Sequence, residues 1–229
     1  MSEKTREILH KHHRDGEHFA QIMIEGFSNR FGEDFWSFWQ QWMEPVQGNK
    51  PVLLDLGCGP GMFLNAIKAQ YPTIRAYGIE VAEYMLDATV SLSDGCEIIE
   101  ADLHDPHLPF ADASVDVVFA SVVIHEMEQP VKALQEIYRC LKPGGRFFIS
   151  DWVRAPLETY LNAQTDPVTV FDGSMDNAAL SDLFVHFIEH NRFSCDDLIY
   201  LLKQCHYKVI FSEVMREGRM AHLIAEKAE

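Results

Sequence analysis

Nowhere in the 229 residues is there a run of about 18 apolar side chains, the least that carries a helix across a bilayer, so a membrane-spanning reading is set aside. Basic charge is scarce too: 19 Lys and Arg stand against 35 Asp and Glu, a formal net charge of −16. Such a surface repels phosphate backbones and anionic lipid at long range, which disfavours nucleic-acid and membrane partners. Cysteine is sparse and shows no pairing pattern. Cys58, Cys96, Cys140, Cys195 and Cys205 are odd in number, and neither C-x-x-C nor another metal-ligand spacing relates them. That usage suits a reducing, cytoplasmic compartment, and the opening MSEKTREILHKHHRDGEH is too charged for a secretory leader. Internal repeats and low-complexity tracts are also missing.

What is present is a chain with 47% hydrophobic residues, enough to bury one substantial centre. Between about Asp15 and Met43, the side chains Phe31, Phe35, Phe38, Trp39 and Trp42 recur at the period of one helix face, and Pro45 and Gly48 end the segment. This predicts an N-terminal helical cap over residues 1–48 whose aromatic stripe packs on the rest; the alternative is that part of it closes over a ligand. From Pro51 onward short apolar strands alternate with helical stretches, beginning PVLLDLG, GMFLNAIKAQY, RAYGIE and ending RFFISDW. Alternation of this kind makes an α/β, doubly wound, mostly parallel sheet covered on both faces. Gln129-Pro130 starts the helix VKALQEIYRCL, and Lys142-Pro143-Gly144-Gly145 stops it. After Trp152 the alternation lapses, so an insertion at about 154–193 is expected within a core spanning 49–229. Ser194 to Asp197 reads as a helix start, and YKVIFSEV and MAHLIAEK read as a closing hairpin at one sheet edge.

The first strand ends in Asp55-Leu56-Gly57-Cys58-Gly59-Pro60-Gly61 and runs straight into a helix. Three glycines let the backbone turn sharply and approach a ligand closely. Their spacing is G-x-G-x-G, not the G-x-G-x-x-G that lays a pyrophosphate on a helix N-terminus. A carboxylate at Asp55 opposes a pyrophosphate but attracts a cationic amino-acid moiety, and Pro60 removes an amide that a phosphate cradle would use. Glu80 ends the second strand, where a carboxylate can accept from both hydroxyls of a ribose. Asp102, followed by Leu103, ends the third and is placed to receive an amino group from an adenine ring; the competing reading is a turn or cap aspartate.

LLDLGCGPG, the acidic strand end at Glu80 followed by VAEYMLDAT, the stretch EADLHDPHLPFADASVDVVFAS and the segment LKPGGRFFISDW together resemble the class I S-adenosylmethionine (SAM)-dependent methyltransferases, particularly their small-molecule group. The resemblance covers about residues 51–152 and returns more loosely over 194–227. It implies a Rossmann-like, seven-stranded sheet with a C-terminal antiparallel hairpin. It also implies that Asp55, Gly57 and Gly59 line the methionine part of SAM with Cys58 in the same loop, and that Glu80 binds the ribose. Val81 and Met85 would flank the adenine, Asp102 and Leu103 would hold the ring from its other side, and Ser121 would lie near the sulfonium. Cys58 itself is read as a small buried residue. The chain departs from the family in having glutamate at Glu80, and in having Cys205-His206-Tyr207 where a glycine usually precedes the aromatic of the sixth strand.

Methyl transfer from a sulfonium is an in-line displacement that the protein serves by alignment and exclusion of water. His125, just past the fourth strand, is the candidate base; the alternative is a structural or cofactor-contacting role. Asp151 and Trp152 are placed to line an acceptor pocket, and Glu126 reads as a solvated loop carboxylate. His186 and His190 have metal-compatible spacing but no evident third ligand, so no metal is expected. His10, His12, His13 and His18 read as an exposed polar face. Phe184, Phe187 and Tyr160 are either an apolar lid or ordinary core. The expected activity is methyl transfer from SAM to an oxygen, nitrogen or carbon of a small, uncharged or cationic metabolite, with release of S-adenosylhomocysteine. The rivals are a non-catalytic SAM-binding regulator and an NAD-dependent oxidoreductase. The oligomeric state is left open.

Overall fold

A computed structural model describes residues 3–13, 15–163 and 172–228. Four helices come first: Glu3–His13 (α1), Gly16–Glu25 (α2), Phe27–Arg30 (α3) and Glu33–Trp42 (α4). The helical period between Asp15 and Met43 is therefore spread over three helices, not one. Gly26 ends α2, its amide turning back to Ile22 O and Ile24 O, and Gly32 is extended before α4. Glycine in a helix interior is among the weakest formers, so the breaks fall where the sequence is least able to resist them. On α4, Phe35 and Trp39 are buried, and their rings meet Phe63, Phe119 and Phe148 at centroid distances of 5.6 to 6.4 Å.

The strands are Val52–Leu56 (β1), Arg75–Glu80 (β2), Cys96–Glu100 (β3), Val115–Ser121 (β4), Leu141–Trp152 (β5), Tyr207–Met215 (β6) and Met220–Lys227 (β7). They form one sheet in the order β3-β2-β1-β4-β5-β7-β6. β1 to β5 are parallel, and β7 lies antiparallel between β5 and β6. β7 alone runs against the other six strands, so the C-terminal pair is a hairpin of which only one arm is reversed. Met62–Gln70 (α5), Glu83–Asp87 (α6) and Val131–Cys140 (α7) cross between the parallel strands. Chain order reverses between β1 and β4, and there the loops leaving the two carboxyl ends diverge to open a crevice.

β5 starts at Leu141, earlier than RFFISDW suggests, because Leu141 pairs with Val115 across a register shift before the regular ladder begins at Val117 and Arg146. Beyond it come Leu157–Asn162 (α8), Asn177–His190 (α9) and Cys195–Gln204 (α10). The start of α10 is the expected one: Ser194 Oγ accepts from Asp197 N, and the Asp197 side chain accepts from Ser194 N. One hydrophobic cluster fills each face of the sheet, with α4 and α5 on one side and α7 and α10 on the other. Among the described residues no helix is long and apolar enough to cross a membrane.

Candidate active site

The loop after β1 is built by absent side chains. Gly57, Gly59 and Gly61 take φ of 60°, 53° and 83°, a region that favours glycine. A Cβ on Gly57 would stand 2.6 Å from Val123 Cγ2, and one on Gly78 of β2 would stand 2.3 Å from Cys58 Sγ. Both positions must stay bare for the loop to lie against β2 and the segment after β4. Cys58 is packed as a small apolar group, its thiol pushed well up by burial and then by the charges of Asp55 and Glu80.

Above this loop lies a cavity of about 120 Å³, whose walls include Asp55, Gly57, Cys58, Gly59, Glu80, Val81, Met85, Leu103 and Ser121. Nine of the ten residues expected to hold the cofactor thus come together. Glu80 is fixed by three backbone amides: Oε2 accepts from Gly59 N at 2.9 Å, and Oε1 from Val81 N at 2.7 Å and Ala82 N at 2.9 Å. Burial raises its pKa while those amides pull it down. Asp55 is only 3% exposed, and its carboxylate receives no hydrogen bond from the described residues. Burial, then the neighbouring charge of Glu80, raise its pKa well above the carboxylate range, against the opposing pull of Arg30. Such a group is stabilised by a cation brought to it and by little else.

Asp102 is the exception, standing behind the wall. Its Oδ2 accepts from Thr5 Oγ1 of α1 at 2.6 Å, and its Oδ1 from His104 N at 3.0 Å. The neighbouring His104 lines the cavity instead, with Nε2 buried and without a hydrogen-bond partner. Nothing in the sequence distinguished His104 from its turn. The N-terminal helices close the roof: Leu9 and His13 of α1, Phe19 and Met23 of α2, and Arg30 and Phe31 beyond them. His13, read as part of an exposed face, is a buried contact whose Nδ1 meets the Tyr84 hydroxyl and whose Nε2 lies 2.9 Å from Glu126 Oε1. Glu126 is correspondingly no solvated loop residue. His10 and His18 are exposed as expected.

A second chamber adjoins the first, sharing His13, Arg30, Val122 and Glu126 with it. His125 opens onto this chamber and not onto the first. Its Nδ1 lies 2.7 Å from Asp151 Oδ1. Asp151 also accepts from the amides of Val123, Ile124, His125 and Trp152, tying the end of β5 to the turn after β4. Burial opposes a charge on His125, but the Asp151 carboxylate outweighs it and holds the pKa above the ordinary imidazole value. Val122, at φ 57°, is a β-branched residue in a left-handed conformation at the junction of the two chambers. The far wall comes from α9 and the residues before it: Met175, Ala179, Leu183 and His186 face inward. Phe184, one of the expected lid residues, is 37% exposed on the outer face. Tyr160 and Phe187 pack together at 5.0 Å, and the Tyr160 hydroxyl meets His186 Nδ1 at 2.5 Å. No metal-holding group forms among the described residues, and the side chain of His190 lies outside them.

A mostly parallel α/β sheet with a glycine loop at its switch point, a clamped acidic strand end and a roofed cavity defines a doubly wound fold whose ligand site lies at the carboxyl ends of the strands. Residues 54–149 match the family described as a methyltransferase domain, so this part of the chain is similar to the class I SAM-dependent methyltransferases. Malonyl-[acyl-carrier protein] O-methyltransferase of Methylococcus capsulatus is 35% identical over 108 residues, covering 46% of this chain and 38% of that protein. The chain therefore spans well under half of that relative's length. Phosphoethanolamine N-methyltransferase 2 of Haemonchus contortus, solved with S-adenosyl-L-methionine, shares the fold at a TM-score of 0.68 and 14% identity, over 98% of this chain and 60% of that one. A SAM-dependent methyltransferase from Aquifex aeolicus does so at a TM-score of 0.55 and 19% identity, over 79% and 83% of the two chains.

Proposed function

We propose that this protein transfers a methyl group from SAM to an oxygen, nitrogen or carbon of a small-molecule acceptor and releases S-adenosylhomocysteine. The observation that carries the reading is Asp55: a buried carboxylate, unpartnered among the described residues, beside a bare glycine loop. It suits an ammonium group and repels a diphosphate, which separates SAM from NAD. Arg30, which lines the same cavity, suits the carboxylate of the same amino-acid end. Glu80, already oriented by three amides, keeps acceptor capacity for ribose hydroxyls. Val81, Met85 and Leu103 supply apolar walls for the adenine, with His104 Nε2 at its polar edge. Asp102 fits a supporting role, fastening α1 through Thr5 and shaping the turn that presents Leu103 and His104.

When bound, SAM supplies an electrophilic methyl on a sulfonium, and the chain's own work is orientation, dehydration and management of one proton. The roof of α1 to α3 excludes water. His125, on the acceptor side, takes the proton released by the acceptor, and Asp151 fixes its ring and balances its charge. Five free cysteines and the acidic composition support a cytoplasmic setting. Isothermal titration with SAM, S-adenosylhomocysteine and NAD tests the reading. Binding of the first two is expected; binding of NAD without SAM would overturn it.

A further inference from the structure

Eight of the described Lys and Arg side chains have found carboxylates, among them Lys11 with Glu189, Arg139 with Glu136 and Asp112, Arg146 with Glu226, and Arg154 with Asp197. Arg216 and Arg219 have not; neither forms an ion pair among the described residues. Both belong to the turn joining β6 to β7, and both lean on the indole of Trp152, with guanidinium carbons 5.6 and 5.9 Å from the ring centroid. Arg216 is exposed at the mouth of the His125 chamber. Arg219 lines the adjoining recess, which shares Trp152 and His186 with that chamber, and its Nε is buried without a hydrogen-bond partner. The two carboxylates on the chamber wall are already engaged, Glu126 by His13 and Asp182 by contacts of its own. Arg30, across the chamber, has its pKa lowered by burial and further by the charge of Arg216, although Asp55 opposes this. Arg216 and Arg219 thus converge on Trp152 without an ion pair among the described residues, an arrangement that a bound anion relieves.

We propose that the methyl acceptor carries an anionic group, a carboxylate or a phosphate, gripped by Arg216 and Arg219 over Trp152, with its reacting atom toward His125 and Ser121. The assignment rests on the first cavity being the cofactor site. It departs from the uncharged or cationic acceptor that the net charge of −16 suggests. Charges beyond the roughly 8 Å Debye length at physiological salt are screened, whereas guanidiniums lining the chamber act at contact distance. Guanidinium is also the side chain best matched to planar or tetrahedral oxyanions.

The protein loaded with S-adenosylhomocysteine is titrated with phenyl phosphate, benzoate and uncharged benzamide. At least one anion is expected to bind about tenfold or more tightly than benzamide, the change that loss of one charged hydrogen bond produces. Phenyl phosphate against benzoate tells which oxyanion is preferred. Arg216→Ala should lose about tenfold for the anion, Arg216→Lys should recover part of it, and Arg219→Gln should weaken it independently. Affinity for S-adenosylhomocysteine should stay unchanged in all three, which also shows that they fold. Equal binding of benzamide and both anions, or anion binding indifferent to Arg216 and Arg219, overturns the proposal. Failure of the wild type to bind S-adenosylhomocysteine is a different result: it removes the methyl-transfer reading, and the acceptor assignment falls with it.

Discussion

Asp151 takes four backbone amides and one imidazole while fully buried, and so fixes the turn after β4 and the His125 ring at the chamber wall. Asp151→Asn would turn an amide donor toward backbone N–H groups, and we predict a loss of roughly 2–4 kcal/mol in urea denaturation. His125→Gln keeps a polar group of similar reach but removes the titrating nitrogen. Turnover should fall about 100-fold with SAM affinity held, as kcat and calorimetry together would show. Because the folded pKa of His125 is raised by the Asp151 carboxylate, this base carries its proton to higher pH than a free imidazole does. Activity should therefore climb as pH rises through that raised value, and the climb should vanish in the variant. The stability linkage has the opposite sense: the His125–Asp151 pairing contributes fully below about pH 6.5 and is lost as pH rises through the folded value. Residue types at single strand ends were readable, and Asp55, Glu80 and His125 stood out from the sequence for that reason. Pairings were not: nothing local joins His125 to Asp151, Thr5 to Asp102 or His13 to Glu126.

The elements differ in how plainly they announced themselves. The strands are short apolar runs bounded by turn residues, and the capping box of α10 is written in four consecutive residues, so both were legible. The N-terminal helices were harder, because one apolar period continues across Gly26 and Gly32 although the chain bends there. α9 was misread by face. Aromatic size drew attention to Phe184, yet the smaller residues Ala179 and Leu183 line the chamber. Within α4, Trp39 is 0% exposed against Phe63, Phe119 and Phe148. Trp39→Ala should cost about 3–5 kcal/mol of unfolding free energy. Since the same cluster supports Phe31 and Phe63 on the cavity wall, its S-adenosylhomocysteine affinity should fall as well.

Across the whole molecule, an excess of acidic groups surrounds a cavity prepared for a ligand with one net positive charge. SAM bears that charge and S-adenosylhomocysteine does not. Stopped-flow association of SAM should slow as NaCl is added, while that of the product should change much less. Equal salt dependence for both would show that the global field plays no part in capture. The doubly wound topology was legible at this scale because alternating strands and helices leave few ways to wind. Chamber walls drawn from α1, the turn after β4, α9 and the β6–β7 turn were not, since those segments meet only after the chain has closed on itself.

The strand order carries a consequence for assembly. β6 precedes β7 in the chain yet lies outside it in the sheet, and its backbone pairs with the rest of the sheet through β7. Arg146 of β5 pairs with Glu226, so that join must close a loop of about 80 residues, an entropic toll far above that of the neighbouring hairpin. β1 to β5 can therefore assemble while the β6–β7 hairpin waits with the inner edge of β7 unpaired. The turn that carries Arg216 and Arg219 can meet Trp152 only once that long loop has closed, so this corner of the molecule depends on the most distant join in the sheet.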